Sequence, residues 1–231
     1  MRHLRACTCS AARVIMLAAC TSGVACTLAA CASTSIAVKE ALGYPKREQL
    51  VARVTEVRDA QGEAKQQFES ALAEFLAVTG AKPGEQLEAK YDKLRREFQR
   101  SESKAKAVSA RIASVESVSG ALFAEWRTEL AQYKSENLRR ASERQLEDTR
   151  TRYDQLLAAM KNAESKMGPV LEAFHDQVLF LKHNLNARAI ASLQETTGQI
   201  QSDVGALVRE MEASIAEANA FIDQMRSEPP A

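Results

Sequence analysis

The chain has 231 residues, of which 45% are hydrophobic, 26% charged and only 5% aromatic, with 9 glycines and 5 prolines. This composition allows one domain with a sizeable core. It excludes a largely disordered chain, in which apolar residues are rarer, and argues against a β-sandwich, which uses more aromatic and turn residues. The formal charge is +1, from 31 basic and 30 acidic residues, so no overall field favours nucleic acid.

The first 31 residues have the pattern of an export signal. Arg2, Arg5 and Arg13 precede an apolar run over residues 14–30, and all five cysteines lie in this segment. A basic start, an apolar run and small residues at its end predict a secretory signal peptide over residues 1–30. The run ends in Leu28-Ala29-Ala30-Cys31, which resembles the lipobox of bacterial lipoproteins. We therefore predict that the Cys31 thiol carries a diacylglycerol and anchors the chain to a membrane.

Three alternatives stay open for this segment. Leu17-Ala18-Ala19-Cys20 has the same pattern, so Cys20 is a second candidate for acylation, although only about six apolar residues precede it. The run could also stay uncleaved as an inner-membrane anchor, or be cleaved without lipid to leave a soluble periplasmic protein. Ala32 follows Cys31 where some lipoproteins have Asp, which favours the periplasmic face of the outer membrane.

Beyond a tether over residues 31–45, apolar residues recur at alternating steps of four and three. Four such seams run over residues 50–78, 87–115, 146–174 and 190–221. This spacing is typical of packed helices. We predict an all-α domain over residues 46–225, an elongated antiparallel four-helix bundle or coiled coil, followed by a disordered tail over residues 226–231.

Turn residues and length matching place the helix ends. We expect turns at 79–84, 134–137 and 183–186, a first helix over 46–79, a last helix over 188–225 and a kink just before Pro169. Residues 118–153 then project past the bundle by about 25 Å as a two-helix hairpin. The hairpin lies at the end that carries the tether. Its partner-binding candidates are Phe123, Trp126, Leu130 and Tyr133, although these side chains could instead hold the hairpin together.

A second candidate surface is the basic stretch 86–111. It contains eight basic and four acidic residues, and Arg95, Arg96 and Arg100 are its candidates for binding an envelope polymer or an anionic lipid. Ordinary surface variation explains the same excess, and export separates the chain from nucleic acid.

The sequence offers little support for catalysis or a cofactor. His175 and His183 are eight residues apart, about 12 Å along one helix, which is too far for one metal ion. Glu172 and Asp176 lie near His175 and support a metal site only weakly. The glycines are isolated, so no phosphate-binding loop is predicted. We expect no enzyme activity, no cofactor and no small-molecule substrate.

Several segments resemble a family of Gram-negative proteins known only as a domain of unknown function, often with a lipoprotein signal. They are Lys46–Val54 (KREQLVARV), Ser142–Leu146 (SERQL), Arg152–Leu156 (RYDQL) and Val178–Leu193 (VLFLKHNLNARAIASL). The resemblance covers essentially the whole chain after the signal. It implies a helical, secreted, coiled-coil-like protein and brings no activity or site residues. Together these features predict a lipid-anchored scaffold that contacts a protein partner or a second copy of itself.

Overall fold

The computed structural model describes Ile36, residues 45–82 and residues 85–227, and these residues form four long helices. They are α1 (Lys46–Thr79), α2 (Leu87–Leu130), α3 (Glu136–His183) and α4 (Ala187–Ser227). Apart from Ile36 and Pro45, the predicted signal peptide and tether lie outside the described residues, and so do Cys20, Cys31 and residues 228–231.

The helix ends agree closely with the turn residues in the sequence. α1 has the predicted bounds, and the turn between α3 and α4 falls at residues 184–186. α3 begins after Ser135, whose hydroxyl accepts a hydrogen bond from the backbone N–H of Leu138 at 3.5 Å. Such a cap satisfies one of the free N–H groups of the first turn. α4 continues through Ser227, so the first two residues of the predicted tail are helical.

The four helices pack as an antiparallel ring in which each helix contacts its neighbours in the chain and α4 closes against α1. Pairs of charged side chains show the order. Lys104 of α2 contacts Glu63 of α1 at 2.7 Å, and Lys65 of α1 contacts Glu212 of α4 at 3.0 Å. Lys161 of α3 contacts Glu116 of α2 at 3.1 Å. The predicted four-helix bundle is confirmed.

The predicted seams form the core. Most of their apolar members are buried, and the rings of Phe75 and Phe174 meet edge to face with centroids 6.1 Å apart. Polar seam residues are buried as well. Thr149 donates to the Gln145 carbonyl of its own helix at 2.7 Å. The side chain of Gln61 is fully buried, and neither of its polar atoms has a hydrogen-bond partner within the described part of the chain.

α3 continues through Pro169 without an interruption. Proline has no N–H, so the hydrogen bond to the carbonyl four residues earlier is missing there. A groove of about 410 Å³ opens beside this point between α2 and α3. Its lining residues are Glu102, Ala105, Lys106, Ser109, Glu164, Met167, Gly168 and Leu171. Within the described ranges, no helix is long and apolar enough to cross a membrane.

The hairpin is present but shorter than predicted. Lys46, at the start of α1, pairs with Glu125 of α2 at 3.0 Å. Near the end of α4, Gln224 accepts a hydrogen bond from Arg152 of α3. α1 and α4 therefore accompany α2 and α3 up to these levels, and the hairpin begins near residue 126 instead of residue 118. The turn at its end, residues 131–135, and the first residues of α3 project about 10 to 20 Å further.

Candidate functional site

The base of the hairpin is held together by buried aromatic side chains. Trp126 is 8% exposed, and its Nε1 donates to the Ser142 hydroxyl at 2.8 Å. Phe123 packs edge to face on Tyr153 with ring centroids 5.4 Å apart. Burial raises the pKa of the Tyr153 hydroxyl, and a hydrogen bond with Ser119 acts in the opposite direction. Phe123 and Trp126 of α2 therefore both contact α3 and join the two helices.

Of the four side chains proposed for partner binding, two are accessible. Leu130 is partly buried against the core, and Tyr133 is exposed in the turn. Phe123 and Trp126 face the interior. The burial of Trp126 is predictable from the sequence, because the seam spacing of four and three continues from Val115 through Ser119, Leu122 and Trp126.

The tip of the hairpin, defined here as residues 131–141, combines apolar and cationic side chains. Every residue from Ala131 to Leu138 is exposed, and Leu138 is 59% exposed. Glu136 accepts hydrogen bonds from Arg139 at 2.8 Å and from Arg140 at 2.7 Å. These two hydrogen bonds lower the pKa of Glu136 to about 2, and the bond from Arg139 has the larger effect. With Lys134, the tip carries three cations and one carboxylate.

Ile36 lies near the end of the bundle from which the hairpin projects. Its side chain is 7% exposed, and its carbonyl accepts a hydrogen bond from Nε2 of Gln49 at 3.4 Å. Gln49 is buried in the first turns of α1. The chain that precedes α1 is thus in contact with the bundle at Ile36, inside the stretch predicted to be a tether.

The basic stretch of α2 is partly neutralised by its own acids. Arg95 contacts Asp92 at 3.3 Å and Arg100 contacts Glu97 at 2.6 Å. Arg96 is exposed and has no ion pair among the residues that the structure describes. Because Arg96 and Arg100 are four residues apart, they share one face of the helix. Arg95 points about 100° away from Arg96.

Neither His175 nor His183 belongs to a metal-binding cluster within the described ranges. His175 lies 5.9 Å from the Phe98 ring, centroid to centroid, and its Nδ1 is 3.6 Å from the Asp176 carboxylate. His183 ends α3. Within the described ranges, no three His, Cys, Asp or Glu side chains are placed to hold a metal ion.

The turn between α3 and α4 is fixed by its own amides. Asn184 donates to the Phe180 carbonyl at 2.9 Å, and Asn186 accepts from the Ala189 N–H at 3.0 Å. These side chains cap the end of α3 and the start of α4, so the polar residues of this turn have a structural role.

Comparison with known proteins identifies a family but no activity. Residues 36–225 match the family described as protein of unknown function (DUF2959). The match begins at the buried Ile36 and ends within α4. No curated protein and no solved structure matches this chain.

Proposed function

This chain belongs to the DUF2959 family of proteins of unknown function, and we propose that it is a lipid-anchored helical scaffold of a Gram-negative cell envelope. It stands on the periplasmic face of the outer membrane and works through contacts with other macromolecules, without catalysis. Acyl chains on Cys31 supply membrane residence, since two or three chains together give stable anchoring. The helical bundle supplies a rigid body.

The observation that carries this proposal is the position of Ile36. It is buried against the bundle near the start of α1, so the chain contacts a defined end of the molecule at Ile36. Cys31 is five residues upstream of Ile36, and a fully extended chain of that length spans about 17 Å. A lipid on Cys31 therefore holds this end of the bundle near the membrane surface, while α3, with 48 residues, extends over about 70 Å.

The anchor is tested by replacing the two candidate thiols one at a time in the full chain. Cys31→Ser should either leave the precursor uncleaved or release the processed protein into the soluble fraction, and mass spectrometry should find no acyl chains on it. Cys20→Ser is the matched control and leaves both readouts unchanged. Release by Cys20→Ser alone would assign the lipid to Cys20. A processed, unacylated wild-type protein, or an uncleaved one, would contradict lipid anchoring.

The macromolecular contact is proposed for the sides of the bundle, because Phe123 and Trp126 are buried at the base of the hairpin. Outside its buried seam, α2 carries a second run with a spacing of four and three that consists of small residues, all exposed or half-buried. They are Ser103, Ala107, Ala110, Ser114 and Ser117. Small side chains at this spacing allow another helix to approach the backbone closely.

Crosslinking tests this contact. A photo-crosslinker at Ala110 in living cells should capture one defined protein or a second copy of the chain. One at Gln201, which is exposed on α4, serves as control and should capture neither. No capture from either position would contradict a scaffold role.

A second candidate function is binding of an anionic envelope polymer through the basic face of α2. It is favoured by the exposed Arg96, which shares its face with Arg100. Gln67 of α1 donates to Glu97 at 2.6 Å, which places this face 21 residues beyond Lys46, about 30 Å from the tethered end. In a bundle that stands upright on its anchor, this height is beyond the reach of the membrane, so a polymer such as peptidoglycan is the better ligand for the face.

Charge reversal tests this second function. Replacing Arg95, Arg96 and Arg100 with Glu should abolish salt-sensitive sedimentation with peptidoglycan. The control replaces three exposed cations of α3 with Glu, and so changes the net charge by the same amount as the test variant. These cations are Arg150, Lys166 and Lys182. Equal effects of the two triple variants would show that only the net charge matters and would contradict a binding face on α2.

A further inference from the structure

The tip of the hairpin has the composition of a membrane-interface contact. Four large apolar side chains are exposed within the described residues, and two of them, Tyr133 and Leu138, lie in this tip. Tyrosine and leucine at the end of a helical hairpin can enter the boundary between headgroups and acyl chains. The three tip cations Lys134, Arg139 and Arg140 face the carboxylate of Glu136 and that of Glu143 just beyond the tip, which contacts Arg139 at 3.4 Å. The remaining positive charge is attracted by anionic lipids.

The tip also lies at the height where a membrane would be. It projects about 10 to 20 Å beyond the level of Lys46 and Glu125. The segment from Ile36 back to Cys31 reaches at most about 17 Å from the same end of the bundle. The two lengths are similar, so an acyl group on Cys31 and the tip of the hairpin can meet one planar surface together.

We infer that the tip, through Tyr133, Leu138 and its cations, lies on the anionic lipid surface that holds the N-terminus. This rests on the proposed lipid anchor at Cys31. Two separated contacts, the acyl chains and the tip, fix the bundle at a defined angle to the membrane, whereas a lipid on a short tether alone allows it to tilt. The tip thus contacts a bilayer surface. The experiment distinguishes this contact from one with a protein partner.

The other two exposed apolar side chains provide a matched control. Leu179 and Phe180 lie near the end of α3, beside the turn to α4. That end is separated from the tethered end by the length of α1, 34 residues or about 50 Å. A membrane contact restricted to the tip therefore leaves Phe180 in water.

The experiment uses the mature chain, residues 31–231, and places a tryptophan near each end of its bundle. Cys31 is the only cysteine of these residues and couples to a maleimide lipid in phosphatidylglycerol vesicles with brominated acyl chains. Trp126 is buried and common to all variants. In the L138W variant the added emission should shift to shorter wavelength and be quenched several-fold more than in F180W.

Charge provides a second arm of the same experiment. The combined replacement of Lys134, Arg139 and Arg140 with Gln should reduce the quenching of L138W, because it removes the attraction to anionic headgroups. Vesicles of phosphatidylcholine should reduce it for the same reason. Circular dichroism confirms that each variant is folded.

The outcomes distinguish the inference from the anchor. In this experiment the lipid is attached to Cys31 by the maleimide, so the quenching does not depend on whether cells acylate Cys31. Acylation in cells is tested separately by mass spectrometry. Equal quenching of L138W and F180W would overturn the inference while leaving the anchor intact. Capture of a protein instead of lipid by a photo-crosslinker at Tyr133 in cells would also overturn it.

Discussion

Trp126 and Ser142 face each other across the base of the hairpin, with the indole Nε1 donating to the Ser142 Oγ at 2.8 Å and both side chains buried. The indole has a single N–H to donate, so this hydroxyl oxygen satisfies it. The hydrogen bond links α2 to α3 at the point where α1 and α4 no longer accompany them.

Removal of the Ser142 hydroxyl should therefore loosen the hairpin. Ser142→Ala leaves the indole N–H buried without this partner and should lower the free energy of unfolding by about 1 to 3 kcal/mol. A double-mutant cycle with Trp126→Phe should give a coupling energy of about 0.5 to 1.5 kcal/mol. Chemical denaturation and amide exchange at the hairpin measure both. Strictly additive effects would show that the hydrogen bond does not stabilise the fold.

Replacement of the buried Gln61 should stabilise the bundle. Its amide is fully buried without a hydrogen-bond partner in the described residues, and an unsatisfied amide costs about 1 to 3 kcal/mol. Gln61→Met keeps the shape and removes the polar atoms, so the midpoint of thermal unfolding should rise. Gln67, on the same helix, donates to Glu97, and Gln67→Met should not stabilise. A lower midpoint for Gln61→Met would mean that a buried water or other group satisfies the amide.

The pKa of Glu136 should depend on its two arginines. Arg139 and then Arg140 lower this pKa from 4.5 to about 2. Because the folded-state pKa is the lower one, the stabilisation is complete above pH 4.5 and is lost as the pH falls from 4.5 towards 2. Titration of the carboxyl carbon by NMR should show the low pKa, and Arg139→Gln should raise it more than Arg140→Gln. An unshifted titration of Glu136 in the wild-type protein would contradict these contacts.

Gly120 should be replaceable with a gain in stability. It lies inside α2, and a Cβ built on it would have no described atom within 4 Å apart from its chain neighbours and the nearby backbone of its own helix. Alanine restricts the unfolded chain, so Gly120→Ala should add about 0.5 to 1 kcal/mol in denaturant unfolding. At Gly80 a Cβ would lie 3.2 Å from the Leu76 carbonyl oxygen, and Gly80→Ala should gain less. Destabilisation by Gly120→Ala would contradict the open space beside this residue.

The edge-to-face pair of Phe75 and Phe174 should be among the costliest to disrupt. Both rings are fully buried, and truncation of a buried phenylalanine typically costs about 3 to 5 kcal/mol. Phe174→Ala should lower the free energy of unfolding by this amount. Phe180→Ala, six residues later on the exposed side of α3, should change it by less than about 0.5 kcal/mol. A loss for Phe174→Ala as small as that expected for Phe180→Ala would show that Phe174 is not in the core.

Much of the fold is predictable from the sequence because helix packing needs a periodic apolar face. The four seams, the Gly and Pro residues at the first turn and the Ser135 cap determine the number of helices and most of their ends. The seam spacing also continues through Ser119, Leu122 and Trp126. It therefore predicts that Trp126 is buried and has a structural role.

The tertiary structure decided what depends on the register between helices. A seam shows which face of a helix is buried but not which residue of the neighbouring helix lies opposite. The pair of Lys46 with Glu125 shows that register, which makes the hairpin shorter than predicted and separates the buried Trp126 from the exposed Leu138. In the basic stretch, Arg95 and Arg100 contact acids three residues away on the same helix, which the sequence spacing already allows. The hydrogen bond from Gln67 of α1 to Glu97 depends instead on the packing of two helices.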